Sequence, residues 1–221
     1  MTRIAVVVPV YRNAATLAPL VERLGAALAG RDWRVRLVVD ACPSGSAEVA
    51  LRLAATDPRV AVTGLTVNGG QHAALRQGLA DEPDADVWVC MDADLQDPPE
   101  AVPLLLDRLA VDDVEAVFAG RRGAYESWPR RVTGGLHRRV AARLTGLPPD
   151  AGAFLAMGPR VRAAVLAADA PSVVLAVGTA RRPVTSVPVA RDVRPEGRSA
   201  WTARARLGQS VRSLWWALRR R

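Results

Sequence analysis

Lysine is absent from this chain, which removes both the Walker A lysine of a P-loop and Schiff-base chemistry from consideration. Its two cysteines, Cys42 and Cys90, belong to no CxxC pair, so neither a disulfide framework nor a zinc knuckle is indicated, and Cys90 reads as a core residue. The two histidines, His72 and His137, lie far apart with no HExxH or other short ligand spacing, which argues against a zinc site. Long apolar runs are missing too. The best candidate, Ala163 to Ala180, is broken by Asp169 and Pro171, short of the roughly 18 uninterrupted residues that a spanning helix needs. The opening MTRIAVVVPVY reads as a strand ending at Pro9, and no small-residue cleavage site follows it. A cytoplasmic location is expected.

What is present fits one sizeable core: 221 residues, half of them apolar. The formal charge of +8 is unevenly spread. Residues 181–221 hold 11 arginines against Asp192 and Glu196, whereas residues 1–180 are close to neutral. A second cluster, Arg121 to Arg143, sets seven arginines against Glu126 alone. Both regions call for an anionic partner, and nucleic acid, phospholipid and a phosphorylated substrate all qualify on charge.

Hydrophobic period predicts strands at Ile4–Val10, Arg34–Val39, Val60–Val67, Val87–Met91 and Val114–Ala119. Helices are predicted over Ala14–Leu28, about Ala47–Ala55, after Asn68-Gly69-Gly70, and from Asp97 onward. Such alternation implies an α/β fold: a doubly wound, mostly parallel sheet with helices on both faces. Beyond Gly120 the pattern loosens into an arginine-rich helix, a turn at Gly146–Pro149, a short helix near Val161–Ala167 and a strand at Val184–Ala190.

The stretch DVWVCMDADLQDPPE, residues 86–100, runs from a buried strand into carboxylates. In extended backbone residues i and i+2 point the same way, so Asp92 and Asp94 share a side, with Gln96 joining them if the chain stays extended. Ligands of open parallel sheets bind beyond the carboxyl ends of the strands, where this pair lies. Hard oxygen ligands in that position suit Mg²⁺ or Mn²⁺, with a diphosphate completing the shell. Asp97-Pro98-Pro99-Glu100 carries the signature of a helix start, which assigns Asp97 to capping. Gly69 and Gly70, ahead of a helix, bring backbone amides toward an anion. His72 reads as structural.

These residues resemble the family-2 glycosyltransferases of the GT-A fold, in particular the polyprenyl-phosphate group that includes dolichol-phosphate mannosyltransferase. DADLQDPPE is similar to that group's metal-binding signature, VVVPVYRNAATL to its first-strand motif, VVD to the strand whose aspartate contacts the base, and NGGQHAALRQGLA to the helix before the metal strand. The resemblance implies Pro9, Tyr11, Asp40, Asp92, Arg191 and Arg194 at the nucleotide-sugar donor. Arg122, Arg131, Thr133 and Ser199 fall to the acceptor phosphate, with Asp92, Asp94 and Gln96 on the metal. The closing R..R..G.S.Y segment of the family is matched by Arg191, Arg194, Gly197, Ser199 and Trp201, with Ala200 in place of its lysine. Residues 1–200 then form one glycosyltransferase domain, its 1–120 half taking the nucleotide sugar and 121–200 the acceptor, followed by a basic tail at 201–221.

Departures from the family pattern occur at Arg12 and Asn13, where Asn and Glu are usual, and at Ala41, where a second aspartate is usual. DAGAFLAM, residues 150–157, stands where relatives read much like DxGDFRLM, so Ala153 and Leu155 replace a carboxylate and an arginine. A sugar hydroxyl generally needs a positioned base, whereas a phosphate monoester is mostly dianionic at neutral pH and attacks without one. The loss therefore favours a polyprenyl-phosphate acceptor. Asp150 is left either to position the acceptor or act as base, or to serve as a turn residue. The expected reaction is a single inverting displacement of a nucleoside diphosphate.

In the tail Leu207, Val211, Leu214, Trp215 and Leu218 follow helical spacing among arginines, which suits peripheral contact with the inner face of a membrane or packing on the protein's own core. Two rivals remain: a basic RNA- or membrane-binding module, and a glycosyltransferase-like protein acting on another acceptor or without turnover. No RRM, KH or helix-turn-helix pattern accompanies the arginines, so no nucleic-acid partner is expected.

Overall fold

The structure is a computed structural model that describes residues 2–111, 113–122, 146–191 and 216, with 121 and 122 as backbone only. In chain order the elements are β1 (Arg3–Val10), α1 (Ala14–Ala27), β2 (Asp32–Asp40), α2 (Ser46–Thr56), β3 (Val60–Leu65), α3 (Gln71–Ala80) and β4 (Val87–Cys90). A 3-10 turn, Pro99–Ala101, leads into α4 (Val102–Leu109), followed by β5 (Ala116–Arg122), β6 (Leu155–Met157), α5 (Pro159–Ala167), α6 (Val173–Thr179) and β7 (Val184–Ala190).

The described strands form one seven-stranded sheet in the order β3-β2-β1-β4-β6-β5-β7. All of its neighbouring pairs are parallel except those of β6, which runs antiparallel to both β4 and β5. β1 is apolar nearly throughout because it is covered on both faces, as a central parallel strand must be. One face carries α1, α2 and α4, through Leu17, Leu20, Leu24, Ala50, Val102 and Leu105, packed on Ile4, Val6, Val8, Val89 and Val117. The other carries α3, α5 and α6, through Leu75, Leu79, Val161, Val165 and Val177, packed on Val7, Trp88, Cys90 and Phe118.

Two described elements had no period to reveal them. β6 is three residues long and buried throughout, too short for an alternating pattern. α6 follows Ser172, whose hydroxyl accepts the Leu175 amide at 3.2 Å, a cap that sat inside an apolar stretch. At the turn expected over Gly146–Pro149, Gly146 takes a left-handed φ of 71°. The arginine-rich helix expected after Gly120 lies outside the described residues, as does the tail apart from Trp216.

Chain order reverses between β1 and β4: the first three strands step outward to β3, and β4 returns to the opposite side of β1. The crevice at such a switch point, beyond the carboxyl ends of the strands, is where open α/β sheets bind ligands. Three residues other than glycine with positive φ, Arg12 (59°), Ala41 (43°) and Leu95 (59°), follow the ends of β1, β2 and β4 there.

Candidate active site

β4 positions the acidic pair. Its even residues Trp88 and Cys90 face α3, its odd residue Val89 faces α1 and α4, and the alternation of burial continues past the strand. Met91, Ala93, Leu95 and Asp97 are buried, while Asp92, Asp94 and Gln96 between them are half-exposed. Burial thus alternates with a period of two, but the chain is not extended as the sequence reading required for Gln96: it turns at Ala93–Asp94, and Leu95 takes a φ of 59°.

Each carboxylate is oriented locally. The Gln71 side-chain amide, on the first residue of α3, donates to Asp92 Oδ1 at 2.6 Å. The Gln96 backbone amide donates to Asp94 Oδ1 at 3.1 Å, closing a turn around Leu95. Thr16 of α1 donates its hydroxyl to the Ala93 carbonyl between them, pinning the loop from the other face. Beneath, burial and then the charge of Asp92 push the Cys90 thiol up to about 12, so this cysteine stays neutral. An ionised carboxylate offers about four acceptor positions, and two carboxylates with an amide carbonyl form an oxygen donor set that fits Mg²⁺ or Mn²⁺. Among the described residues no group of three or more His, Cys, Asp or Glu side chains is arranged to hold a metal, so the candidate set is this pair with Gln96.

Asp97 corrects the sequence reading. The 3-10 turn starts at Pro99 with Pro98 before it and no side-chain cap, so Asp97 caps nothing. It is buried instead and accepts from Arg191 Nε at 2.7 Å, with side-chain exposures of 4 % and 10 % for the two partners. Burial alone lowers the Arg191 pKa, but the charge and hydrogen bond of Asp97, and the charges of Asp92 and Asp94, outweigh it and raise the pKa above that of ordinary arginine. The end of β7 is thereby brought to the acidic loop.

Asp40, at the end of β2, is also buried, and both its oxygens are engaged: Oδ1 accepts the Gly69 amide at 2.7 Å and Oδ2 the Gly70 amide at 2.8 Å. The amides expected to meet an external anion are therefore used by an internal one. Gly70, at φ 79°, takes a conformation that favours glycine. Pro9 and Tyr11 lie at the end of β1, and the Arg12 guanidinium stands 5.4 Å from the Tyr11 ring centre. The Arg12 amide donates to Cys42 Sγ at 3.0 Å and the Asn13 amide to Ser46 Oγ at 3.1 Å, tying this loop to the one after β2.

Asp150 stands over β5 and β7, two strands across from β4. Its Oδ2 accepts the Ser186 hydroxyl at 3.2 Å, and its Oδ1 is buried with no partner among the described residues. Gly120 lies against it so closely that a methyl group there would collide with Asp150 Oδ2. Ala153 and Leu155 are buried in the α3-side core. Arg122 ends β5, paired in register with Ala190. Arg131, Thr133, Arg194 and Ser199 lie outside the described residues.

The structure thus brings Arg191 within electrostatic reach of Asp92 and Asp94, and adds Gln71 as a partner of Asp92, Thr16 on the Ala93 carbonyl and Asp97 on Arg191. For Gln71 a signal existed: a helix following a parallel strand starts from the carboxyl edge of the sheet, so its first residue falls at the crevice.

An open α/β sheet with an acidic pair beyond the carboxyl ends of its strands places the candidate site where such sheets bind their ligands. The chain matches the family model "Glycosyl transferase family 2" over residues 5–158 and belongs to that family. It is 33% identical over 147 residues to an undecaprenyl-phosphate 4-deoxy-4-formamido-L-arabinose transferase of Aeromonas hydrophila, covering 65% of this chain and 44% of that protein. It is 38% identical over 136 residues to the enzyme of the same name from Pseudomonas paraeruginosa, covering 58% and 40%. The chain thus spans less than half the length of these curated relatives. Among solved structures it is similar to glucosyl-3-phosphoglycerate synthase from Mycobacterium tuberculosis with Mn²⁺ and UDP, with a TM-score of 0.70, 19% identity and coverage of 98% of this chain and 78% of that one. A mannosyltransferase from Pyrobaculum calidifontis, in complex with GDP-Man and Mn²⁺, also gives a TM-score of 0.70, with 20% identity and coverage of 98% and 64%. The fold is that of the GT-A glycosyltransferases.

Proposed function

We propose that this glycosyltransferase moves a sugar from a nucleotide-sugar donor to a polyprenyl phosphate at a membrane surface, with inversion. The observation that carries this reading is the half-exposed pair Asp92 and Asp94 at the switch point, beside the Arg191 guanidinium. Asp92, Asp94 and Gln96 would hold Mg²⁺ or Mn²⁺, which when bound supplies positive charge against the departing diphosphate. Pro9, Tyr11 and Asp40 border the nucleotide, with Asp40 acting largely through the loop it clamps. Arg191 and Arg194 face the diphosphate, and Arg122, Arg131, Thr133 and Ser199 hold the acceptor phosphate through charge-assisted bonds.

An acceptor phosphate oxygen forms the new bond to the anomeric carbon as the bond to the nucleoside diphosphate breaks and its electron pair leaves with the diphosphate. The acceptor assignment draws on the names of the curated relatives and on Ala153 and Leu155, whose burial leaves apolar side chains where a hydroxyl acceptor would need a base. Asp150, with one buried oxygen lacking a partner among the described residues and the other accepting the Ser186 hydroxyl, positions the acceptor. The peripheral membrane contact is assigned to the basic tail.

The test is incubation of purified protein with Mg²⁺ or Mn²⁺, polyprenyl phosphate and a panel of nucleotide sugars, followed by analysis for glycosylated lipid. Asp94→Ala is expected to abolish product while circular dichroism stays native. Undiminished turnover in that variant refutes the ligand assignment, and hydrolysis or transfer to a non-lipid acceptor alone refutes the acceptor.

A further inference from the structure

We infer that Ser186 is a positioning residue: its hydroxyl holds Asp150 by one carboxylate oxygen, so that the other accepts a hydrogen bond from a hydroxyl group of a substrate. This rests on the glycosyl-transfer reading above. Ser186 Oγ donates to Asp150 Oδ2 at 3.2 Å, whereas Asp150 Oδ1 is buried with no partner among the described residues. Strand register puts the pair on the side of the sheet where the site lies. Cys90, Leu155 and Phe118 stand opposite one another in β4, β6 and β5, and Phe118 stands opposite Ser186 in β7. The first three pack in the core beneath α3, the helix whose Gln71 meets Asp92, and Ser186 faces the same way as its register partner. Gly120, two residues beyond Phe118, shares that face, and Asp150 is seated on it. Both β4 and β5 run antiparallel to β6, so Gly120 and Asp150 lie toward the same edge of the sheet as Asp92.

Two costs to stability meet at this point. Glycine weakens the interior of a strand and marks a place where another group approaches closely. Here that group is Asp150, since a methyl on Gly120 would collide with its Oδ2. The second cost is Oδ1 itself, because a buried acceptor without a partner forfeits its hydration and receives nothing in return. A carboxylate accepts hydrogen bonds and donates none, so whatever completes Oδ1 must bring a proton. A phosphate dianion has acceptors only and does not fit. A hydroxyl does. It can come from the sugar being transferred or from the protonated oxygen of the acceptor's phosphate monoanion.

The full chain, assayed with Mg²⁺, polyprenyl phosphate and the nucleotide sugar it turns over, tests this. Ser186→Ala is expected to lower kcat/KM by about tenfold, and Ser186→Thr to restore it to within about threefold. In an Asp150→Ala background the same Ser186→Ala change should cost less than about twofold, since the hydroxyl acts only through the carboxylate. Nucleotide sugars lacking one hydroxyl at a time separate the two sources. If the sugar supplies the group, one of these donors is indifferent to Ser186→Ala; if the phosphate does, every one of them keeps the full loss. Unchanged kcat/KM in Ser186→Ala, as for an oxygen satisfied by water alone, overturns the inference. So does an equal loss in the Asp150→Ala background, which would make Ser186 a support of its strand. Without substrates, Asp150→Ala should unfold in urea at a midpoint no lower than that of the wild type, because it removes an unpaired buried oxygen. A lowered midpoint, the mark of a structural tie between β5 and β7, overturns the inference as well. A wild type that turns over none of the nucleotide sugars defeats the glycosyl-transfer reading, whereas turnover indifferent to Ser186 and Asp150 defeats only this one.

Discussion

At the scale of single residues, side chains near the crevice are held in states that solvent would not choose. His72, the second residue of α3, has its Nδ1 buried without a partner among the described residues, and burial lowers its pKa from 6.5 to about 4. The unfolded imidazole takes its proton near pH 6.5 and the folded one only near 4, so between those values the unfolded state binds more protons. The stabilising contribution is complete above pH 6.5 and is lost as pH falls toward 4, amounting to about 3 kcal/mol. Urea unfolding at pH 4.5 and 7.5 is expected to give a smaller difference in His72→Leu than in the wild type. Ala41, at φ 43°, stands at the end of β2 in a conformation that costs a residue with a Cβ roughly 1 kcal/mol. Ala41→Gly should raise stability by about that amount, read as a higher urea midpoint at unchanged slope.

At the scale of elements, the site is built by short links between strand ends and helix starts. Asp40 joins the end of β2 to the start of α3 by accepting two amides, from Gly69 and Gly70, and α3 in turn places Gln71 on Asp92. Asp40→Ala would leave both amides without their acceptor, and a loss of about 3 kcal/mol is expected in chemical denaturation. An Asp40 that served only to meet the nucleotide base would show no such loss. The elements themselves were largely legible. β1, β2, β4 and β7 carry continuous or alternating apolar runs, and α1 a clear helical stripe. β6 was not, because three buried residues look the same in a strand, a helix or a core loop, and their role comes from Cys90 and Phe118 on either side.

At the scale of the whole molecule, charge is segregated. The described body around the crevice pairs most of its arginines with carboxylates, as Arg36 does with Glu82 at 2.6 Å. Residues 201–221 carry arginines and no acidic residue. With each arginine contributing on the order of 1 kcal/mol near anionic lipid, deletion of 201–221 should abolish co-sedimentation with vesicles containing phosphatidylglycerol. Binding by the full chain should weaken as salt is raised. Trp216, the described residue of this segment, donates its indole N–H to the Asp169 carbonyl between α5 and α6, so its ring meets the body. No helix among the described residues is long and apolar enough to cross a membrane.

The sequence by itself determined the alternation of strands and helices and the mostly parallel sheet that this alternation builds. Both follow from periods of two or 3.6 residues, a local property that one chain carries in full. Only the tertiary structure decided what Asp97 and Asp40 do. A proline-rich helix start read locally makes Asp97 a cap, yet Arg191 reaches it from 94 positions away. Two glycines before a helix suggest an anion site, yet a carboxylate from β2 fills it. Partners for a buried charge are chosen by proximity in space, and periodicity along the chain carries no record of which distant residue will arrive.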